Sequence, residues 1–312
     1  MRIHTLGGGV SQLIGTGGRD LSAAVSGVMM IDGIRALAVD EHTGAIVLVS
    51  KPPAPEVEHK VLAEVAAAGK PVVVYFIGGS EEAVTAAGGH FASSSRDAAV
   101  QAVRLVSDEA ASVPELDEQG ICDVIGRLAP EQRHVRGLFS GGTLCDESMY
   151  ALLTAGEEVW SNIQKDPAFV LRAGEPSRGH TFLDFGDDGF TNGRPHPMID
   201  PSLRLERLVQ EADDPTVAVV VMDFVLGFGA HEDPVGVTLP AIAEAKRTAA
   251  AHGRDLEIVG YVLGTDRDSQ SYAAQVVALE GAGVTVTRSS TETGEYVRGI
   301  AQHASVRKAA HA

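Results

Sequence analysis

Short runs of apolar, mostly β-branched residues return along this sequence, and most are followed by a stretch with apolar residues at helical spacing. Such runs are typical of strands in a parallel sheet, which helices bury on both faces. The alternation predicts an α/β fold with doubly wound parallel sheets. The predicted strands cover residues 10–15, 45–50, 71–77, 90–93, 135–140, 181–185, 217–226, 257–263 and 284–287. The predicted helices cover residues 21–40, 55–68, 81–87, 96–111, 143–154, 201–211, 235–252, 269–280 and 293–303.

The order of strand, turn and helix occurs twice. Segments 45–50, 70–78 and 90–94 correspond to segments 217–222, 257–264 and 284–290. Two flavodoxin-like domains in tandem explain this repetition better than one large sheet does. An acidic stretch with Pro114 separates the halves and is the best linker candidate. We therefore predict a first domain over residues 1–112, a linker over 113–134 and a second domain over 135–312.

The composition limits both the core and the partners. Aromatic residues make up only 5% of the chain, so Val, Ile, Leu and Ala must fill the core. The net charge of −17 argues against a nucleic acid or an anionic membrane as partner, because both require a basic surface. A small anion is still possible, since one Arg or one helix N-terminus can bind it.

The sequence shows neither a clear targeting segment nor a cysteine motif. The two cysteines have no metal-type spacing and indicate no disulfide framework, so we predict no metal site. There is no signal peptide, and the longest apolar run, residues 217–228, is interrupted by Asp223. These features predict a cytoplasmic protein.

The stretch from Asp184 to Pro201 is the strongest candidate for a functional loop. It holds three glycines, adjacent carboxylates that include Asp188, then Arg194 and His196. Prolines on both sides fix the backbone around His196 and remove donors. We expect His196, Arg194 and Asp188 to be catalytic. The alternative is a long turn in which Asp200 and Pro201 only cap the next helix.

Three glycine-rich turns are candidate anion sites because they join a strand to a helix. Gly17, Gly18 and Arg19 form the first, and the alternative there is a tight turn with Asp20 as N-cap. Gly141, Gly142 and Thr143 form the second, where we expect open backbone amides to bind a carboxylate or phosphate. The third holds Gly229 and His231, at the end of the most apolar strand. His231 could instead be a loop histidine facing water. Lys51, in the equivalent loop of the first half, could meet an anion or could simply be solvated.

Several of these segments resemble the FdrA family, whose members are related to nucleoside-diphosphate-forming acyl-CoA synthetases such as succinyl-CoA synthetase. The resemblance covers nearly the whole chain. It rests on residues 17–22, 49–53, 91–94, 141–144, 184–188, 193–201 and 227–230. It implies tandem flavodoxin-like domains of the CoA-ligase type, normally preceded by a Rossmann-like CoA-binding domain.

The sequence departs from that family pattern. The CoA-binding domain, the opening strand of the first ligase domain and an ATP-grasp domain are not found in it. The phosphohistidine loop expected after residues 71–77 is also short, and His90 nearby opens a predicted strand, so the phosphohistidine role is not assigned to it. CoA or a nucleotide would then be bound only by missing domains or partner subunits. Residues 1–7 look like the end of a helix, so we expect the rear part of a longer protein or the product of a split gene.

The resemblance implies a subunit of an acyl-CoA synthetase-like enzyme that transfers an acyl or carbamoyl group on small carboxylates. One alternative is a subunit of an oxamate carbamoyltransferase in allantoin and purine breakdown. Another is a non-catalytic scaffold that retains the ligase fold. The expected partners are a small anionic substrate and either further copies of the chain or partner subunits, because the first domain would otherwise expose a sheet edge or an apolar helix face.

Overall fold

The computed structural model describes residues 1–107, 113 and 115–311, with the backbone alone for residues 303–311. Two compact units are present, Met1–Pro114 and Glu115–Ala312. The boundary falls inside the predicted linker 113–134, which also holds a helix, Glu118–Arg127. Residues 108–112 and 114 of the acidic linker candidate lie outside the described residues.

The first unit is built on a parallel sheet of three strands in the order β1-β2-β3. Residues from alternating positions of β2 enter two different apolar clusters, so helices cover both faces of the sheet. Its elements are α1 (Arg2–Thr5), α2 (Val28–Val39), β1 (Ile46–Ser50), α3 (Pro55–Ala67), β2 (Val72–Phe76), α4 (Glu81–Ala86), β3 (His90–Phe91) and α5 (Ser95–Val106).

The second unit holds a parallel sheet of six strands in the order β5-β6-β4-β7-β8-β9. Its elements are α6 (Glu118–Arg127), β4 (His134–Phe139), α7 (Gly142–Leu153), β5 (Val159–Ser161), a 3₁₀ turn (Pro167–Phe169), β6 (His180–Asp184), α8 (Asp188–Thr191), α9 (Ser202–Ala212), β7 (Val217–Val225), α10 (Leu239–Ala251), β8 (Glu257–Leu263), α11 (Tyr272–Gly281), β9 (Thr285–Thr287) and α12 (Ser290–His311).

Successive side chains of the central strands lie on opposite faces of the sheet, so the core of the second unit has two layers. Val220 and Met222 of β7 pack with α9 and α10, whereas Val219 and Val221 pack with α6, α7 and α12. The sheet is therefore doubly wound, and the predicted α/β fold class is confirmed. The strand order changes direction at β4, which lies between β6 and β7. Ligands of such sheets bind outside the carboxyl ends of the strands at this point.

Some elements differ from the sequence-based prediction. Residues 10–15 form no strand, and Leu13 is 92% exposed. Residues 10–15 are exposed throughout, so no buried apolar face holds this segment against the open edge of β1, which pairs with β2 alone. The strand β5 and the helix α6 were not predicted, because β5 has only three residues and α6 lies in the segment 113–134 that was interpreted as a linker. Within the described residues, none of the helices combines the length and the apolar character that crossing a bilayer demands.

Candidate functional site

Asp223 is the centre of the carboxyl edge of the second sheet. It lies in β7, its side chain is fully buried, and its Oδ1 accepts hydrogen bonds from the amide (2.7 Å) and hydroxyl (2.9 Å) of Ser140. Its Oδ2 accepts the amide of Gly141 at 2.8 Å. The turn between β4 and α7 is thus fastened to the neighbouring strand.

The predicted open amide at Gly141 is therefore wrong. The reason is the strand order, since β7 lies directly beside β4 and brings a carboxylate to the turn. The helix α7 begins one residue later, and its first backbone bond runs from Cys145 N to Gly141 O at 2.9 Å. Among the described residues, the amides of Gly142 and Thr143 have no hydrogen-bond partner. They remain available at the positive end of the helix dipole.

Arg204 completes the buried group around Asp223. It comes from the first turn of α9, is 3% exposed, and its Nη1 donates to Asp223 Oδ1 and to the Asp223 carbonyl, both at 2.7 Å. The guanidinium also lies over the Phe224 ring, 5.7 Å from the ring centre. A charged pair in this position is costly to break, because removal of one partner leaves the other charge buried alone.

His196 lies at the same strand ends. A Cβ added to Gly186 would lie 2.6 Å from His196 Nε2 and 2.9 Å from Ser140 O, so the imidazole reaches the turn before α7 and Gly186 leaves it room. Nδ1 accepts the amide of Met198 at 3.2 Å. In the neutral ring the proton must therefore be on Nε2. Burial lowers the pKa of His196, and the nearby charge of Asp223 opposes this shift. His196 is thus a neutral donor at pH 7.

The loop after β7 joins the His196 loop. The amide of His231 donates to Met198 O at 2.7 Å, and His231 Nδ1 accepts the amide of Asp233 at 3.0 Å. His231 is therefore partly buried within this loop pair and does not simply face water. Gly229 is exposed, with φ of +85°, a conformation that favours glycine.

Arg194 lines a pocket of about 170 Å³ next to this site. His196 is not among the lining residues, so the structure does not bring the two predicted catalytic side chains into one pocket. Asp188 is exposed at the first position of α8, where Asp187 caps the helix by accepting the amide of Gly189 at 3.0 Å. The pocket is lined by Phe185, Phe190, Arg194, Pro195, Pro197, Asp200, Ser202 and Leu203.

In the first unit, Gly17, Gly18 and Arg19 line a pocket of about 300 Å³. Asp20 is buried there and accepts the amides of Met29 (3.0 Å) and Met30 (2.9 Å). The Asp20 carboxylate therefore lies at the N-terminus of α2. That helix starts seven residues later than an N-cap at Asp20 would require.

Lys51 follows β1 and is partly buried. The amide of Ala54 in the same loop donates to Leu21 O at 2.9 Å, so this loop lies beside the segment that follows Asp20. His90 is the exposed first residue of β3, as the sequence predicted.

Three residues of the site, Ser140, Arg204 and Asp223, were not among the sequence candidates. The signal for Asp223 was present, because it is the one charged residue inside the apolar run 217–228. A carboxylate buried in a central strand needs partners, which makes it a candidate for a structural or functional role.

Comparison with known proteins places the chain in a family. The CoA-ligase family model matches residues 138–298. The chain is 55% identical over 300 residues to the uncharacterized protein YahF of Escherichia coli K12. The match covers 96% of this chain but only 58% of the length of YahF.

Two solved structures have weaker similarity. The apo dinucleotide-forming acetyl-coenzyme A synthetase 1 of Ca. Korarchaeum cryptofilum matches with a TM-score of 0.37 and 16% identity, over 90% of this chain and 58% of that one. The ATP citrate lyase of Methanothrix soehngenii, in complex with citrate and coenzyme A, matches with a TM-score of 0.33 and 14% identity, over 85% of this chain and 39% of that one. Because the family model covers more than half of the 312 residues, and these include the whole edge around Asp223, the chain belongs to the CoA-ligase family.

Proposed function

We propose that the second unit binds the oxyanion of a phosphate or acyl phosphate, as part of an FdrA-type, acyl-CoA synthetase-like group transfer on small carboxylates. The supporting observation is that the unpaired first-turn amides of α7 and the imidazole of His196 occur at the same strand ends. Both are hydrogen-bond donors at pH 7, and donors of this kind bind phosphate at helix N-termini.

The arrangement suits the transfer of an acyl group from phosphate. When the bond between the acyl carbon and the phosphate oxygen breaks, negative charge develops on that oxygen. The amides of Gly142 and Thr143 are fixed in space because Asp223 holds the preceding turn, so they stabilise this charge without reorganising. The Nε2–H of His196 adds a third donor and can pass its proton to the departing oxygen.

CoA itself is not accommodated by the pockets described above. Their volumes are about 170 and 300 Å³, and drug-sized ligands, which are smaller than CoA, already need roughly 300–1,000 Å³. In this proposal the thiol substrate is therefore held by another domain or by a partner subunit.

Association with further copies or with partner subunits belongs to the same proposal. Apolar side chains are exposed in the first unit, which favours contact with another chain. They include Val10, Leu13, Ile14, Val25, Val28 and Met29. A larger species than the monomer in light scattering at micromolar concentration would support this.

Calorimetric titration tests the proposed function. Inorganic phosphate, acetyl phosphate and carbamoyl phosphate are each titrated into the protein at constant chloride. We expect phosphate and acetyl phosphate to bind, and to compete with each other. Tighter binding of carbamoyl phosphate than of acetyl phosphate would favour a carbamoyltransferase. If none of the three binds, the account is wrong and a scaffold role is favoured.

A further inference from the structure

Arg204 is a buried cation with donors that the protein itself does not use. Its side chain is 3% exposed, and Nη1 makes its hydrogen bonds to Asp223. Nε is buried and has no acceptor among the described residues, and Nη2 donates to none of them either. These two nitrogens form one edge of the planar guanidinium, which matches two oxygens of a single oxyanion. Because buried charged donors are rarely left without an acceptor, this edge is suited to a bound oxyanion.

The ion pair with Asp223 does not require these extra donors. Nη1 alone makes the contact, and the ammonium of a lysine can pair with a carboxylate in the same way. The carboxylate of Asp223 also accepts three further hydrogen bonds, from the amide and hydroxyl of Ser140 and from the amide of Gly141. The Nε–Nη2 edge of Arg204 is therefore not needed to hold Asp223.

Arg136 shows how a structural arginine is used in the same unit. It is 1% exposed and also pairs with buried acid groups. Its Nε donates to Glu211 at 2.6 Å, its Nη2 donates to Asp214 at 2.6 Å, and its Nη1 donates to the carbonyl of Gly179. All three nitrogens of Arg136 thus have acceptors within the protein, in contrast to those of Arg204.

Electrostatics gives the start of α7 a second reason to need Arg204. Asp223 accepts the amide of Gly141, so a fully buried negative charge lies directly beside the proposed oxyanion site. The backbone amides and the neutral imidazole of His196 carry no net charge, so this carboxylate alone would repel a phosphate. Arg204 is the cation that pairs with Asp223, and its charge therefore cancels the repulsion.

We infer that Arg204 is a further binding residue of the proposed oxyanion site. Its charge cancels that of Asp223, and its Nε–Nη2 edge donates to oxygens of the bound phosphate group. The guanidinium lies against the same carboxylate that holds Ser140 and Gly141, so both kinds of donor meet around Asp223. The inference rests on the proposed function and adds a cationic donor to that site.

Calorimetric titration of inorganic phosphate into Arg204→Lys tests this role, with Arg136→Lys as the matched control. Lysine keeps a positive charge beside Asp223 but has no planar edge of donors. We expect Arg204→Lys to bind phosphate at least about tenfold more weakly than the wild type does. Arg136→Lys alters a buried ion pair elsewhere in the unit, so its phosphate affinity should stay within about twofold of the wild type. Equal affinities in the wild type and Arg204→Lys would overturn the inference.

Nuclear magnetic resonance of the wild-type protein gives a second test that does not depend on the folding of a variant. The Nε–H signal of Arg204 should shift when phosphate is added, because this donor gains an acceptor. The Nε–H signal of Arg136 should stay, because that donor is already bonded to Glu211. An unchanged Arg204 signal in a protein that binds phosphate would exclude Arg204 from the site.

Gly142→Pro, which removes one of the proposed amide donors, separates this inference from the proposed function. If phosphate binds Gly142→Pro as it binds the wild type but binds Arg204→Lys weakly, the amides of α7 are wrong and Arg204 still binds the anion. If it binds Arg204→Lys normally and Gly142→Pro weakly, only the role of Arg204 is wrong. If the wild type binds no phosphate, both are wrong.

Discussion

The carboxylate of Asp223 accepts the backbone N–H of Gly141 at 2.8 Å and so ties the start of α7 to the neighbouring strand β7. The same side chain forms an ion pair with Arg204, which is 3% exposed. One carboxylate thereby fixes a turn, a helix start and a buried cation. The geometry of the proposed oxyanion site depends on it.

Replacement of Asp223 by Asn should lower the free energy of unfolding strongly. Arg204 would be left as a buried charge without a counter-ion, which typically costs about 3–5 kcal/mol. Asp255→Asn is the matched control, because Asp255 pairs with Arg127 at the surface and exposed pairs contribute about 0–1 kcal/mol. Urea unfolding of the two variants measures the difference. Similar losses in both would show that the buried pair has no special role.

Sulfate binding should depend on pH in a way set by His196. Burial keeps its pKa below the usual value of about 6.5. Sulfate does not titrate in this range, so its affinity should be flat between pH 8 and 7. It should rise only below about pH 6.5, when the ring gains a positive charge. A His196→Asn variant should lose most of that rise. An equal rise in the variant would exclude His196 from the site.

Arg194→Lys keeps the charge but removes the planar fork of donors. Binding of a small carboxylate such as succinate should weaken by about 1.5–3 kcal/mol, the typical contribution of hydrogen bonds to a charged group. The control is Arg247→Lys on the exposed side of α10, for which we expect no change beyond about 0.5 kcal/mol. Calorimetry compares the two. Equal affinities would leave Arg194 as a surface residue.

Stability should fall in mild acid because of His180. Burial, assisted by the charges of His134, Arg136 and Arg133, lowers the pKa of His180 to about 4, although Glu157 lies 3.6 Å away. The unfolded chain, with a pKa of about 6.5, binds the proton more readily. The contribution of neutral His180 to the free energy of unfolding is therefore fully present above about pH 6.5. It is lost as the pH falls towards 4, and the loss reaches up to about 3 kcal/mol.

Urea unfolding between pH 7 and 4.5 tests this prediction with two variants. His180→Gln should show a shallower loss of stability than the wild type, because it removes the titrating group. His252→Gln, at an exposed position after α10, should follow the wild-type curve. Parallel curves for all three proteins would contradict the assignment.

Long apolar runs determined how much of the fold could be predicted. β7 is nine residues long and buried along almost its whole length, so its hydrophobic pattern is unambiguous. β5 has three residues at the edge of the sheet, and β6 is the one named strand with which it pairs, so it is too short to show an alternating pattern. Residues 10–15 have the apolar pattern of a strand, but they are exposed and do not join the open edge of β1.

The site was only partly predictable, because some of its features are local in the sequence and others join distant residues. The proline pair around His196 and the glycines before α7 are local signals, and the structure places His196 and the start of α7 at the same strand ends. The contact of Asp223 with Ser140 joins residues 83 positions apart. It depends on β7 lying beside β4, and that strand order cannot be deduced from hydrophobic periodicity.

Titration of inorganic phosphate into Gly142→Pro and Gly142→Ala tests the central claim most directly. Proline removes the Gly142 amide and suits the first helical position, and Gly141 before it is already extended, with φ of −107° and ψ of 110°. Alanine adds a methyl group but keeps the amide. With melting temperatures confirming that both variants are folded, phosphate should bind Gly142→Ala as it binds the wild type and Gly142→Pro at least about tenfold more weakly. Equal phosphate affinities in the two variants would contradict an oxyanion site at the start of α7.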